Sequence, residues 1–285
     1  MRVVIGVDWS DQAFAAVTQT FHLYQPTDVT LVHGIDLGFF EYPIVAEAAN
    51  MQGYDDFRNS MVEAGRKLLE RTASMLPPDV TSVRKINEIG SPAQIILESA
   101  DNVSADLVVV GARGLGRLSE VVLGSVSHRV LMHGSRPTLI ARGSARTIHR
   151  VLVAVQGRED ADRITQWLTK HRFAAPVELC VYHVVVPVGL EDPYDPLGSK
   201  AWWEAAERYA EDFVKSTAAK LLDSRYTVST KVAVGIPAAT LAEEATKADL
   251  VIVASHGRKG ISRFLMGSVS HAVVHHATCP VLVLR

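Results

Sequence analysis

The chain has 285 residues, of which 48% are hydrophobic and 21% are charged, and its formal net charge is −2 at pH 7. This composition supports hydrophobic cores for two domains of ordinary size and excludes an intrinsically disordered chain. The nearly balanced charge gives no electrostatic footprint for nucleic acid or an anionic membrane, so neither is expected as a partner.

Cysteine usage and the N-terminus indicate the compartment. The chain has two cysteines, Cys180 and Cys279, which are too few for a disulfide framework and read as buried thiols. The sequence enters a strand-like run at once, without the apolar segment of a signal peptide, and no apolar run approaches the roughly 20 residues of a membrane helix. We therefore expect a soluble cytoplasmic protein.

The elements are predicted in the same order in the two halves of the chain. Each half opens with an apolar strand, at 3–7 and 151–155, and after a helix reaches a strand ending in histidine, at 29–33 and 177–183. Irregular stretches follow at 34–53 and 184–198, and amphipathic helices lie near 54–75 and 200–222.

A third strand then leads to a Gly-x-Pro corner, at 90–92 and 235–237, where proline is well placed to open a helix. The next strands, at 105–111 and 248–254, are apolar after their first aspartate, as in a parallel sheet covered on both faces. Each half closes with a last helix and then a last strand. The last strands are predicted at 137–142 and 280–285. This order predicts two tandem α/β domains, each with a doubly wound parallel sheet.

A repeated glycine motif supports the duplication. Residues 111–131 read GARGLGRLSEVVLGSVSHRVL, and residues 254–274 read ASHGRKGISRFLMGSVSHAVV. The shared positions keep one offset of 143 residues, as from Gly124 to Gly267, which indicates a duplicated unit. We place the domains at 1–143 and 149–285, with the small polar segment 143–149 between them.

The spacing of this motif is Gly111-x2-Gly114-x9-Gly124-Ser125. It follows a strand, and ligands of open parallel sheets bind beyond the carboxyl ends of the strands. Glycines let backbone N–H groups approach a ligand, and Ser125 is predicted to cap a helix whose N-terminus can hold a phosphate. Nearby Arg113 and Arg117 would add positive charge.

Two common phosphate-binding motifs are excluded. The loop lacks the Gly-Lys-Ser/Thr of a Walker A loop, and Ser119 occupies the third glycine position of the dinucleotide fingerprint. A glycine-rich turn before a helix can also be purely structural, so the loop by itself does not identify a ligand.

The whole combination resembles the universal stress protein family: an aspartate after the first strand, a strand histidine, a Gly-x-Pro corner, the spaced glycines and a closing PVLV-type strand. The resemblance covers both halves. It implies two five-stranded domains of the adenine nucleotide alpha hydrolase-like fold that bind ATP, with or without Mg²⁺. It also implies that the halves pair as a pseudo-dimer through the strands at 137–142 and 280–285.

For the first half, the resemblance places Asp8 near the adenine and ribose and the backbone of Gly34 against the adenine. The ribose and phosphate positions match Gly111, Gly114, Gly124 and Ser125. Asp8 can also be read as an ordinary helix-start residue.

The second half matches less completely. Gln156 stands in place of Asp8, Val184 in place of Gly34 and Ala254 in place of the first glycine, while Gly257, Gly267 and Ser268 are retained. Because Gln156 brings no carboxylate, we expect this site to bind nucleotide less well than the first. Cationic residues lie on its phosphate side: His256, Arg258 and Lys259.

Neither a metal site nor a catalytic set is expected. His271 and His275 have helical i, i+4 spacing, but the sequence places no third ligand close to them. Ser127 and His128 are neighbours on a helix and diverge, and His33 and His183 are expected to be hydrogen-bonded strand residues. Rapid ATP hydrolysis needs a metal clamp and a positioned water, which nothing here indicates.

The leading functional hypothesis is an ATP-binding regulatory protein of the stress response without fast catalysis. The alternatives are a slow ATPase or phosphotransferase that uses the same site and a nucleotide-free interaction module. An unidentified protein partner would meet the variable stretches 35–53 and 185–199, and formation of a homodimer is left open.

Overall fold

A computed structural model of the protein describes residues 1–38, 53–114, 123–186, 199–223, 225–255 and 266–285. The chain divides into two compact units, the first comprising residues 1–21 and 25–145 and the second residues 22–24 and 146–285. Each unit is an α/β fold around a parallel sheet, which confirms the predicted fold class.

The strands and helices of the first half follow one another as predicted. The strands are β1 (Arg2–Gly6), β2 (Asp28–Ile35), β3 (Ser82–Ile89), β4 (Leu107–Gly111) and β5 (Thr138–Ala141). The helices are α1 (Asp11–Leu23), α2 (Tyr54–Ala73), α3 (Pro92–Asn102) and α4 (Ser125–His133).

The second half repeats this arrangement. The strands are β6 (Arg150–Ala154), β7 (Val177–Val185), β8 (Tyr226–Val234), β9 (Leu250–Ala254) and β10 (Val281–Leu284). The helices are α5 (Arg158–Lys170), α6 (Ser199–Ala219), α7 (Pro237–Ala245) and α8 (Ser268–His276). Pro92 and Pro237 open their helices, as the Gly-x-Pro corners predict.

The strand order places a crevice at the same point in each unit. The first sheet has the order β3-β2-β1-β4-β5 and the second the order β8-β7-β6-β9-β10, with all of these neighbours parallel. The order reverses between β1 and β4 and between β6 and β9. Ligands of such sheets bind at this switch point.

Neighbouring residues of β2 show that helices cover both sheet faces. A Cβ built on Gly65 of α2 would meet the His33 ring, whereas one built on Gly34 would meet Pro92 of α3. Since successive strand residues point to opposite faces, α2 and α3 lie on opposite sides of the sheet. The strand β4 is accordingly buried throughout, as its unbroken apolar run predicts.

The aspartates before the fourth strand of each unit fasten the first strand. The Arg2 N–H donates to Asp106 Oδ2 at 2.8 Å, and the Arg150 and His149 N–H groups donate to Asp249 Oδ2 at 2.9 and 3.0 Å. Burial alone would raise the pKa of Asp249, but these N–H groups outweigh it and hold the pKa below its usual value. Asp106 and Asp249, each the one polar residue of an otherwise apolar run, therefore hold the start of the first strand in place.

Two boundaries differ from prediction. The strands β2 and β7 continue past their histidines to Ile35 and Val185, so Gly34 and Val184 lie inside strands and not at the start of loops. The reason is the long pairing with β3 and β8, which extends to these last residues. Among the residues that the structure describes, every helix is too short or too polar to cross a bilayer.

Candidate functional site

The first unit contains a cavity of about 420 Å³ at the carboxyl ends of β1, β2 and β4. The amino-terminal turns of α3 and α4 complete its wall. This first cavity is lined by all six residues that the sequence singles out in this half: Asp8, Gly34, Gly111, Gly114, Gly124 and Ser125. Positions spread over most of the domain are therefore brought together.

Asp8 follows β1 and is held by the start of α1. Its Oδ1 accepts the Ser10 N–H at 2.9 Å and also accepts the Ser10 hydroxyl proton. The Ser10 Oγ in turn accepts the Ala13 N–H at 3.2 Å, so Ser10 caps the helix and Asp8 orients that cap. The other oxygen, Asp8 Oδ2, lies beside Gly114, where a Cβ would contact it. One carboxylate oxygen is thus fixed by the fold and the other lies at the glycine loop.

The strand histidines fix the backbone next to this position. The Nδ1 of His33 lies 2.9 Å from the carbonyl oxygen of Val7, and the Nδ1 of His183 lies 2.9 Å from that of Val155. Because a carbonyl only accepts, Nδ1 carries the proton in both rings. This confirms the expectation of hydrogen-bonded strand histidines, and it shows that they anchor the residues just before Asp8 and Gln156.

Gly34 brings β2 and α3 into close contact at one end of the cavity. A Cβ at position 34 would lie 2.5 Å from Pro92 Cα and 2.9 Å from Pro92 Cβ, so any side chain would displace the helix. The neighbouring lining residues are apolar and include Val7, Val32 and Ile96. This end can accept a flat apolar group between the strand ends and the helix.

The opposite end is formed by the start of α4, where one prediction needs correction. Ser125 is the first helical residue and not the N-cap, because Gly124 has the extended backbone of a cap and no side chain caps this helix. The N–H groups of the first turn of α4 have no partner within the helix, and residues 125–127 line the cavity. They form a ready site for an anion.

The loop before α4 is fastened to the sheet. The Gly124 N–H donates to the Ala112 carbonyl at 2.8 Å, and the Ser127 hydroxyl donates to the Gly111 carbonyl at 2.5 Å. These bonds set the distance between the end of β4 and the helix start. Arg113 lines the cavity in this region, as predicted, while Arg117 lies outside the described residues.

The second unit has a corresponding cavity of about 320 Å³ at the ends of β6, β7 and β9. This second cavity is lined by every described residue that the sequence singles out in this half: Gln156, Val184, Ala254, Gly267 and Ser268. As in the first unit, the cap is the glycine, Gly267, and the serine, Ser268, is the first helical residue. The predicted residues Gly257, His256, Arg258 and Lys259 lie outside the described residues.

The apolar end of the second cavity is narrower. Ala154, Tyr182 and Val184 line it at the places that Gly6, Val32 and Gly34 occupy in the first cavity. The Tyr182 phenol is protonated at neutral pH even at its ordinary pKa, and burial raises this pKa further, so its hydroxyl can donate a hydrogen bond. A planar group that fits the first cavity has less room here.

The second cavity also holds a carboxylate, although Gln156 itself brings none. Asp160, in the first turn of α5, lines the cavity and is 4% exposed. Its Oδ2 accepts the Gln156 N–H at 3.1 Å. The sequence comparison missed Asp160 because it compared only residues at matching positions of the two halves. The aspartate that could have been noticed lies four residues after Gln156, in the first turn of α5.

The two histidines with i, i+4 spacing, His271 and His275, lie on α8. The rings of His271 and His275 are 4.3 Å apart, as their i, i+4 spacing predicts.

Comparison with known proteins identifies the family of the chain. The sequence matches the universal stress protein family twice, over residues 1–142 and 147–285. It is 31% identical to a universal stress protein of Mycolicibacterium smegmatis, covering 99% of this chain and 96% of the relative. It is 27% identical to one of Mycobacterium tuberculosis, with 99% and 96% covered.

A solved universal stress protein structure from Archaeoglobus fulgidus has a similar fold. It shares 21% identity with a TM-score of 0.66, covering 100% of this chain and 98% of the other. The chain therefore belongs to the universal stress protein family, carries two copies of the family's domain in tandem, and has its role in the stress response.

Proposed function

We propose that the protein is an ATP-binding regulator of the stress response and that ATP occupies the first cavity. The observation that carries the proposal is the arrangement of three chemically different surfaces along one cavity. The slot lies at the end of β2, the Asp8 carboxylate follows the neighbouring strand β1, and Gly114 lies between this carboxylate and the Gly124 cap of α4. This order matches that of adenine, ribose and phosphates in ATP.

The apolar slot suits the adenine ring. Gly34 and Pro92 are in contact at one end of the slot, and the apolar side chains of Val7, Val32 and Ile96 line the rest of it. A purine has a flat apolar face and polar edges, so it can stack in the slot while its edge meets strand backbone.

The carboxylate of Asp8 suits the ribose. With Oδ1 occupied by Ser10, the remaining oxygen Oδ2 accepts hydrogen bonds from ligand hydroxyls. Gly114 keeps this oxygen accessible because a side chain there would contact it.

The N-terminus of α4 suits the phosphates. Its first N–H groups and its dipole attract anions, and Arg113 adds a positive charge on the same wall. Mg²⁺ bound to ATP would be held mainly by the phosphate oxygens and water.

Titration of the purified protein with ATP and Mg²⁺ by isothermal calorimetry tests the proposal. Gly114→Leu places a side chain against Asp8 and is expected to abolish binding to the first cavity. Gly157→Ala is the control, because a Cβ there meets no atom within 4 Å. An unchanged number of ATP molecules bound per chain in the Gly114→Leu protein would contradict the proposal.

The same samples separate the alternative functions. Denaturation followed by chromatography shows whether nucleotide co-purifies, and its absence together with no ATP binding would favour a nucleotide-free interaction module. ADP release above about 1 per second, the low end of typical enzymes, would favour an ATPase.

A further inference from the structure

The sheet of the first unit ends in an open strand edge. The last strand, β3, pairs with β2 and with no other strand of the described chain. The Ser82 and Gly90 N–H groups donate to the carbonyls of Thr27 and Ile35 beside it, each at 3.0 Å. Because backbone groups point alternately to the two sides of a strand, the N–H and C=O groups of the odd-numbered residues of β3 face away from the sheet. Such an edge can pair with a further strand.

The odd-numbered residues also carry apolar side chains on the face covered by α2. Val83 and Ile89 are each 39% exposed. Asn87, which lies between them on the same face, donates to the Val62 carbonyl of α2 at 2.8 Å. Val62 is itself 37% exposed. Large apolar side chains therefore remain exposed beside an unpaired edge.

The even-numbered residues place one charge of each sign on the opposite face. Arg84 and Glu88 lie two residues before and two residues after Ile86. Arg84 makes an exposed ion pair with Asp28 at a long distance of 3.5 Å, which contributes little to stability. Glu88 is exposed and forms no ion pair within the described part of the chain.

We propose that two copies of this chain form a homodimer by pairing their β3 edges in antiparallel orientation about a two-fold axis at Ile86. In this register Val83 lies opposite Ile89 of the second copy, and Lys85 lies opposite Asn87 of the second copy. Every outward-facing residue then meets an outward-facing residue, so their N–H and C=O groups can exchange hydrogen bonds. The axis is perpendicular to the sheet, so the α2 helices of both copies lie on one face and bring their exposed apolar residues together.

The same register pairs the charges. Arg84 lies opposite Glu88 of the second copy, and the symmetry repeats this pair on the other side of the axis. Opposite charges directly across an antiparallel pair stabilise it, and like charges destabilise it. The edge strand of the second unit, β8, has one charged residue, Lys231, which pairs with Glu244 at 2.7 Å. It therefore offers no pair of opposite charges that would fix a register.

The test is sedimentation velocity of the full chain and of two charge-reversed variants over a range of concentrations. Arg84→Glu and Glu88→Arg each place like charges opposite one another at two points of the dimer. Each variant alone is expected to associate about tenfold more weakly than the unmutated chain, or weaker still. An equimolar mixture of the two variants is expected to regain dimers, because every glutamate then faces an arginine.

The control is Glu211→Arg, which makes the same change of charge on α6 in the second unit. Glu211 belongs to an exposed ion pair with Lys215 at 3.0 Å, so this variant is expected to associate as the unmutated chain does. Urea unfolding checks that each variant folds. Glu88→Arg removes no ion pair of the described chain, so it carries the test if Arg84→Glu, which loses the contact with Asp28, does not fold.

The register is tested by disulfide formation. Ile86 lies opposite its own copy in a non-hydrogen-bonded pair, where Cα atoms are about 4.5 Å apart, so Ile86→Cys is expected to cross-link two chains on mild oxidation. Lys85 lies diagonally from its own copy at about 7–8 Å, which is too far for a disulfide, so Lys85→Cys is expected to stay monomeric in a denaturing gel. The unmutated chain, with Cys180 and Cys279 in the second unit, gives the baseline.

An unmutated chain that stays monomeric at every concentration overturns the inference and leaves the edge to an extended segment of another protein. Equal association of the Glu88→Arg protein and the unmutated chain also overturns it. The same holds for a mixture of the two charge-reversed variants that stays monomeric, and for equal cross-linking of the two cysteine variants.

Discussion

Replacing Gly34 by alanine tests how closely β2 and α3 must approach. A Cβ at this position would lie 2.5 Å from Pro92 Cα, while ordinary van der Waals contact begins at 3.4 Å, so the start of α3 must withdraw by 0.9 Å. Since the contact is with backbone, no side-chain rotation relieves it. Overpacking of this kind destabilises folded proteins by about 1–3 kcal/mol, and we expect Gly34→Ala to lie in that range.

The assay is urea unfolding followed by circular dichroism, together with calorimetric titration of ATP. The transition of the first unit is expected at lower urea concentration, and ATP affinity is expected to fall because the displaced Pro92 lines the first cavity. Gly157→Ala is the matched control: it lies in the second unit and a Cβ there meets no atom within 4 Å, so we expect no change in the first transition or in ATP binding to the first cavity, and its cost is the poorer capping of α5 by alanine. If the two variants behave alike in both measurements, the close approach does not constrain the fold and the reasoning is refuted.

Three further predictions concern the cavities and the sheet. Ser127→Ala removes the bond to the Gly111 carbonyl and is expected to cost about 1–3 kcal/mol in urea unfolding, because a buried acceptor loses its partner; an unchanged midpoint would contradict this. Val184→Ala widens the narrow end of the second cavity and is expected to raise ATP affinity in the Gly114→Leu background. The same substitution is expected to lower the free energy of unfolding by about 2 kcal/mol, because it removes buried methyl groups. Asp249 has a lowered pKa in the folded state, so its stabilising contribution is present above its usual pKa of 3.8 and is lost as the pH falls through the lower folded value. Asp249→Asn should therefore reduce the difference in stability between pH 6 and pH 3, measured by urea unfolding.

Much of the site was predictable because the topology decides where the strands end. In a doubly wound sheet the residues after the first, second and fourth strands must meet at the switch point. The family resemblance assigned Asp8, Gly34 and Gly111 to one site, and this topology explains why the structure brings them into one cavity.

The rest depends on geometry that the pattern does not contain. Which of Gly124 and Ser125 caps α4 is decided by one ψ angle, and both residue types are acceptable caps. The extension of β2 depends on pairing with a strand about 50 residues away. The place of Asp160 depends on how the first turn of α5 is oriented towards the strand ends, which no residue-by-residue comparison of the two halves reveals.

The bonds of Asp106 and Asp249 have a consequence for the order of folding. Arg2 meets its carboxylate partner 104 residues later, and His149 and Arg150 meet theirs 100 and 99 residues later. During synthesis the first strand of each sheet, β1 or β6, therefore emerges long before the aspartate and the fourth strand, β4 or β9, that pair with it. Contacts so distant in sequence must overcome a large loop-closure entropy, so each repeat should assemble slowly, with its earliest strand among the last to be locked in place.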